Sequence, residues 1–305
     1  MRLTAIRSGL LVLAALALIA VFASGQGQQD FSKVEIKANK ITNNFYSLDG
    51  QGGTIGVLTG PDGILMVDTQ FAPLSEKIVA AIRKISNGQI RFVLNTHVHG
   101  DHTGGDENLA KLGAVVMARD ELRNRMAHPA PAANGTPGVP APQMALPLVT
   151  YRGQVTFHMN GEEVEAIPIQ VAHTDGDTLV RLRNADILMT GDYYRSLGYP
   201  NIDRANGGSL NGMIDGLGRT IGLAGPNTKI IPGHGATVDR TAVAAHRDMM
   251  LVMRDRVAKL INEGKTQEQV LAAKVTADYD SKVPSPGTTG DRFIGQVYAE
   301  LKAAK

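Results

Sequence analysis

The chain has 305 residues, 43% of them hydrophobic and 20% charged, which argues against a disordered, collagen-like or coiled-coil architecture. It contains no Cys and no Trp, so disulfides, thiolate metal ligands and cysteine nucleophiles are ruled out. A formal net charge of +2, from 31 basic and 29 acidic residues, gives no electrostatic footprint for nucleic acid.

Arg2 and Arg7 precede an uncharged apolar run from Leu10 to Ala23, with Ser24 and Gly25 after it. That run is short for a membrane span and right for the core of a signal peptide, with cleavage expected after Ala23 or Gly25. Residues 1–25 are therefore read as a leader and residues 26–305 as one exported domain, periplasmic or secreted, that touches the membrane only through that leader. Losing the leader removes two Arg and no acid, leaving 29 basic and 29 acidic residues. A chain without Cys suits an oxidising compartment.

Short alternating apolar runs come first, at Val34–Ile36, Ile41–Leu48, Thr54–Leu58 and Ile64–Asp68. Turn residues such as Asp49-Gly50 and Pro61-Asp62-Gly63 separate them, which predicts antiparallel strands joined by hairpins. Leu74, Ile78, Ala81 and Ile82 have helical spacing, and the helix should end near Asn87-Gly88. Phe92-Val93-Leu94 reads as a buried strand running into Thr96-His97-Val98-His99-Gly100-Asp101-His102. A strand at Ala114–Met117 and a helix at Arg119–Met126 follow. Six of the 14 Pro lie between Pro129 and Pro147, so that stretch is a long loop, expected to border the active site.

Strands resume at Gln154–Met159, Glu163–Ile169, Thr178–Leu182 and Ile187–Thr190. Asn206-Gly207-Gly208-Ser209 opens a helix to about Ile221, where Gly207, Gly208 and Gly212 would permit tight packing. Lys229–Ile231 is a further strand. The remainder, from about residue 239, reads as a helical C-terminal extension. Asp239 is an N-cap for a helix carrying Val243, Met250, Met253, Val257 and Leu260, and Thr266 to Gln269 has capping-box spacing. The order of elements implies layered sheets with helices outside.

Three of the eight His fall within residues 97–102, together with Asp101. Imidazole is the commonest neutral metal ligand, and a carboxylate compensates charge. His97 and His99, on a turn after a strand, can aim at one point. Asp101 and His102, one turn further, can face a second, as in metal pairs about 3.5–4 Å apart. His173, Asp192 and His234 each follow an apolar run, where ligands gather at the ends of strands. Tyr193, Tyr194 and Arg195, directly after Asp192, are expected to line the substrate pocket. His128, His158 and His246 are read as non-functional.

The run from His97 to His102, followed in order by His173, Asp192 and His234, resembles the metallo-β-lactamase superfamily over Thr54 to Thr237, about six-tenths of the chain. The resemblance implies an α/β fold, the four-layered αβ/βα sandwich, with a metal pair at the edge between the sheets. It implies that His97, His99 and His173 hold the first metal, that Asp101, His102 and His234 hold the second, and that Asp192 bridges both. Asp68 matches the superfamily's early Asp, which is structural and not a ligand.

Two Zn2+ are the default cofactors, with Fe or Mn accepted by the same donors. The implied reaction is hydrolysis of an ester, thioester, lactone or amide in a small molecule by a metal-bridging hydroxide, with Asp101 orienting the nucleophile and accepting its proton. Without Cys, the β-lactamase subclasses with a Cys ligand do not fit, and Asp192 departs from the all-His subclass. Weak β-lactamase activity and an iron-dependent, persulfide-dioxygenase-like oxidoreductase remain the alternatives.

Overall fold

The computed structural model describes residues 30–131 and 134–304; the leader read at 1–25 lies outside the described residues. Two sheets carry the molecule. The first orders its strands as they occur in the chain: β1 (Lys37–Lys40), β2 (Phe45–Asp49), β3 (Ile55–Leu58), β4 (Ile64–Val67), β5 (Ile90–Leu94), β6 (Val115–Arg119) and β7 (Val149–Tyr151). Strands β1 to β4 form an antiparallel meander, and β4 to β7 run parallel. The parallel crossovers pass through α1 (Ser75–Arg83), the short α2 (Gly100–Thr103) and α3 (Asp106–Lys111), and α4 (Asp120–Ala127).

The second sheet has the order β12-β11-β10-β9-β8, built from β8 (Val155–Met159), β9 (Glu162–Pro168), β10 (Thr178–Leu182), β11 (Ile187–Met189) and β12 (Lys229–Ile231). Only β11 and β12 pair in parallel, across the helix α5 (Leu210–Leu223). The C-terminal helices are α6 (Arg240–Asn262), α7 (Gln267–Ala272) and α8 (Gly290–Ala303). No helix among the described residues is long and apolar enough to cross a membrane.

Strand alternation explains the layers. Leu65, Val67 and Leu94 of the first sheet meet Val164, Ala166, Val180, Leu182, Met189 and Ile231 of the second in one core between the sheets. The intervening residues Ile64, Met66 and Val93 pack outward against Leu74, Ile78, Ile82 and Leu109. On the far side Ile167, Leu179, Leu188 and Ile230 pack against Leu210, Leu217, Met250, Met253 and Phe293. Both faces of the central strands are covered, which is why they read as continuous apolar runs. Each fully buried Leu, Ile or Phe contributes about 1.5–3 kcal/mol to that packing. The result is the expected αβ/βα sandwich of four layers, with the helical extension on the second sheet.

The caps behave as the sequence suggests. Asp239 accepts from the Ala242 amide at the start of α6, and Thr266 and Gln269 close a full capping box on α7. Ser209 caps α5, where Gly212 lies against the Val171 carbonyl and Gly208 against that of His173, with no room for a Cβ at either.

One expectation is corrected, and two segments gain detail. The first strand is Lys37–Lys40 and not Val34–Ile36. It is an exposed edge strand whose charged residues protect the edge, while Val34 and Ile36 join the cluster under α1. The run after His99 is helical, as α2 and α3. Within the proline-rich loop, Gln143–Ala145 forms a 3-10 turn, and Ala141, Ala145 and Leu146 pack with Val98 between His97 and His99.

Candidate metal centre

Five chain segments end at one place. Strand β5 leads into Asn95-Thr96-His97-Val98-His99, and His99, in extended conformation, starts the turn of α2 that carries Asp101 and His102 back over it. The segment after β9 delivers His173, the segment after β11 Asp192, and the segment after β12 His234. The fifth is Asp68, directly after β4, with a left-handed backbone (φ 62°) that Asp tolerates better than most residues.

The donor atoms fall into two groups, each with its ligand atoms within 4.8 Å of one another: His97, His99, His173 and Asp192, and Asp101, His102 and His234. Asp192 links them. Its Oδ1 lies 3.3 Å from both His102 Nε2 and His234 Nε2, and its Oδ2 lies 3.9 Å from His173 Nε2. Asp101 Oδ2 is 3.1 Å from His234 Nε2. All seven residues named from the sequence are thus brought together.

The partners behind the ring nitrogens decide which nitrogen is bare. The Asp68 carboxylate is buried, and as an ion it only accepts. Its Oδ1 takes the Thr96 amide, and its Oδ2 takes the Thr96 hydroxyl and His102 Nδ1–H, each at 2.7 Å. With Nδ1–H committed to Asp68, His102 turns its Nε2 to the centre. The Thr96 hydroxyl, committed as donor to Asp68, accepts from His97 Nδ1 at 3.1 Å and leaves His97 Nε2 bare. His99 Nε2 donates to Asp203 Oδ2 at 2.6 Å, and His173 Nδ1 donates to the Asn201 carbonyl at 2.6 Å.

The remaining atoms, His99 Nδ1 and His173 Nε2, face each other at 3.0 Å. Two imidazole lone pairs at that distance repel unless a proton or a cation lies between them. His97 Nε2 and Asp192 Oδ1 are buried with no hydrogen-bond partner. Nitrogen and oxygen donors without sulfur, several bare and oriented from behind, are what a divalent metal such as zinc requires.

Electrostatics agree. Burial pushes His97 well below its ordinary pKa and His173 down to about 4, so both rings are neutral at neutral pH. Burial also opposes charge on His102, yet Asp68 and Asp192 raise its pKa well above the ordinary value. Burial opposes ionisation of Asp192, but His102 and His234 hold its carboxyl well below the usual carboxylate range. The site draws positive charge in and keeps its carboxylates ionised.

Gly53 is required by this packing, because a Cβ there would overlap the His102 ring. Its amide donates to the Asp101 carbonyl at 3.0 Å. Two cavities flank the centre. One, of about 560 Å³, is lined by His99, Asp203, Arg204, Arg292 and Gln296; the other, of about 380 Å³, by Gly52, Gly53, Leu197 and His234.

Asp203 and the Asn201 carbonyl were not identifiable from the sequence. Asp203 reads only as the cap of a turn, accepting from the amides of Ala205 and Asn206, and its contact with His99 spans 104 positions. Of the three residues expected to line the substrate pocket, Tyr193 does not. It is fully buried in the helical core, its hydroxyl bonded to that of Thr220 at 2.7 Å. Tyr194 and Arg195 line a different cavity, against α6, and Arg195 Nε reaches to 3.9 Å from Asp192 Oδ2.

Known proteins share the fold. The fold is similar to that of the sec-alkylsulfatase Pisa1 from Pseudomonas sp., with a TM-score of 0.69 at 18% identity over 86% of this chain and 50% of that one. The DIM-1 metallo-beta-lactamase gives 0.58 at 20% identity over 72% of this chain and 98% of its own. In sequence, the chain is 30% identical over 185 residues to a hydroxyacylglutathione hydrolase of Nitrosococcus oceani, covering 55% of this chain and 60% of that protein. A second, of Polaromonas sp., is 26% identical over 168 residues, covering 53% and 55%. The chain therefore matches less than two thirds of the length of these relatives. The model of the metallo-beta-lactamase superfamily matches residues 48–245, and the chain belongs to that superfamily.

Proposed function

We propose that this protein is a dinuclear zinc hydrolase that cleaves an ester or thioester bond in a small anionic substrate. The observation that carries the reading is the convergence of seven His and Asp donors into two groups joined by Asp192. His97, His99 and His173 would hold one ion, Asp101, His102 and His234 the other, with Asp192 shared. When bound, such ions supply Lewis acidity, lowering the pKa of water toward neutrality and polarising a substrate carbonyl.

The chain's own residues supply the rest. Burial works against charge on Asp101, but its contacts with His234 and His102 keep its pKa low, so at neutral pH it orients the attacking water and accepts its proton. In the cavity beside His99, Asp203 is committed to His99 and Asn206, and Asp291 to Lys274 at 2.9 Å. Arg204 and Arg292 make no ion pair among the described residues, so the cavity carries unspent positive charge that suits a carboxylate on the substrate. The hydroxyacylglutathione hydrolases among the relatives make thioesters the first class to test. The apolar leader at Leu10–Ala23 supports a place outside the cytoplasm.

The test is a hydrolysis screen on the zinc-loaded mature protein, with hydroxyacyl thioesters, aryl esters, lactones and a β-lactam, alongside metal analysis of the protein as purified. Thioester or ester turnover, lost on chelation and on Asp101→Asn with circular dichroism unchanged, is the expected outcome. Undiminished activity after exhaustive chelation would refute the reading.

A further inference from the structure

Helix α8 is anchored in the core by Phe293, Ile294 and Val297. Gln296 and Glu300 stand four residues apart on it and so share one face. That face meets the segment between β11 and α5, which carries both groups that stand behind His99 and His173. Glu300 holds the far end of the segment. Its two carboxylate oxygens accept from the Ser209 hydroxyl and the Leu210 amide, each at 2.8 Å. Gln296 holds the near end. Its Oε1 accepts from the Ile202 amide, and its Nε2 donates to Asn201 Oδ1, each at 3.0 Å.

The chemistry fixes the direction of this grip. The Ile202 amide can only donate, so the Gln296 oxygen lies on it and the Gln296 nitrogen faces Asn201. The carbonyl that accepts from His173 Nδ1 at 2.6 Å belongs to Asn201, so it is the other end of the same peptide unit. In a planar trans peptide the C=O and the N–H point in opposite directions. One rigid plane is therefore held by His173 at its oxygen and by Gln296 at its hydrogen. The bond to Gln296 also polarises the unit and makes its oxygen a better acceptor.

Asp203, behind His99, has supports of its own. Its amide donates to the His173 carbonyl at 3.0 Å, and its carbonyl accepts from the Gly208 amide at 2.7 Å. Loss of Gln296 should therefore fall on His173.

We propose that Gln296 is a positioning residue for the metal centre: through the Asn201–Ile202 peptide it holds the Nδ1–H of His173 and aims the opposite ring nitrogen at the site. The effect on zinc rests on the reading of His173 as a ligand, whereas the hydrogen bond itself can be read without metal.

Gln296→Met keeps the length of the side chain and removes both hydrogen bonds. In chelator-treated, isotope-labelled protein, NMR reads solvent exchange of the His173 Nδ1–H proton, with the His102 Nδ1–H proton on Asp68 as the internal reference. In the variant the His173 proton should exchange about tenfold faster or more, with the His102 proton unchanged. Zinc titration against a chromophoric chelator should show one affinity lower by about tenfold and the other unchanged. Gln296→Glu is the rescue. One oxygen still accepts from Ile202, and the Asn201 side chain can turn its nitrogen to the other, so exchange and zinc affinity should return close to wild type. Should Gln296→Met fail to fold, Asn201→Ala removes one of the two bonds and keeps the carbonyl, and should give a smaller change in the same direction. Wild-type exchange at His173 in Gln296→Met would overturn the proposal, and so would equal losses at His173 and His102, which would mark a general loosening. If the wild-type protein takes up no zinc, the reading of the centre fails, and the proton comparison alone decides the role of Gln296.

Discussion

Replacing Asp68 by Asn separates the two roles of that carboxylate, which touches no candidate ligand position except through hydrogen bonds. The Thr96 amide can only donate, so the Asn oxygen stays on it and the Asn amide nitrogen faces the Thr96 hydroxyl and His102 Nδ1, where Asp68 Oδ2 sat at 2.7 Å from each. Both partners must now accept. His102 has to move its proton to Nε2, the atom that faces Asp192 and His234 at 3.3 Å. The Thr96 hydroxyl, no longer donating to Asp68, turns its proton on His97 Nδ1 and drives that ring to the same wrong tautomer. One isosteric change therefore hides two ligand nitrogens, one in each group.

The fold loses one charge-assisted pair and keeps a hydrogen-bonded side chain, a cost of about 1–3 kcal/mol in urea unfolding of the chelated protein. Zinc affinity, measured by competition with a chromophoric chelator, should fall by about 10–100-fold at both sites. Thr96→Val is the control. It removes the hydroxyl between Asp68 and His97 but leaves His102 Nδ1 on Asp68, so it should weaken the group of His97, His99 and His173 more than the other. Wild-type zinc affinity and stoichiometry in Asp68→Asn would refute the assignment of tautomers, and equal losses at both sites in Thr96→Val would refute the relay.

Gly53→Ala should lower zinc affinity at the Asp101, His102 and His234 group, seen in the same competition assay, because its methyl group overlaps the His102 ring. Arg292→Gln should raise KM about tenfold for a substrate with a carboxylate and leave a neutral aryl ester unchanged, in steady-state kinetics on matched substrates. His246→Leu tests linkage. The folded pKa of about 4 lies below the ordinary imidazole value of 6.5, so the unfolded chain binds a proton that the native state resists, and wild-type stability falls as pH drops from 6.5 to about 4. The variant should lack that part of the decline, at most about 3 kcal/mol in denaturation series of chelated protein across that window.

The candidate ligand residues were legible because each follows a strand of the buried sheets. Apolar runs at Phe92–Leu94, Ile187–Met189 and Lys229–Ile231 announce the strand, and the polar residue after each one lies at its carboxyl end, where the sheets expose a common edge. The edge strand Lys37–Lys40 was not legible for the complementary reason: solvent on its faces removes the apolar signal, and only pairing with β2 makes it a strand. Tyr193 shows the limit of adjacency. It follows a ligand directly, yet the backbone turn at Gly191–Tyr193 sends its ring into the core beneath α5.

What sequence spacing cannot supply is the choice of nitrogen. His97 and His99 stand two residues apart on one turn, yet His97 presents Nε2 and His99 presents Nδ1. The difference lies in what stands behind each ring: a neighbouring hydroxyl for His97, and for His99 a carboxylate brought from 104 positions away. A backbone carbonyl does the same for His173, and a carbonyl has no sequence signature at all. Residue identity fixes which donors are available, but the tertiary fold fixes which lone pair is free. The affinity of the centre for metal therefore depends on Asp68, Thr96, Asp203 and Asn201 as much as on the histidines they orient.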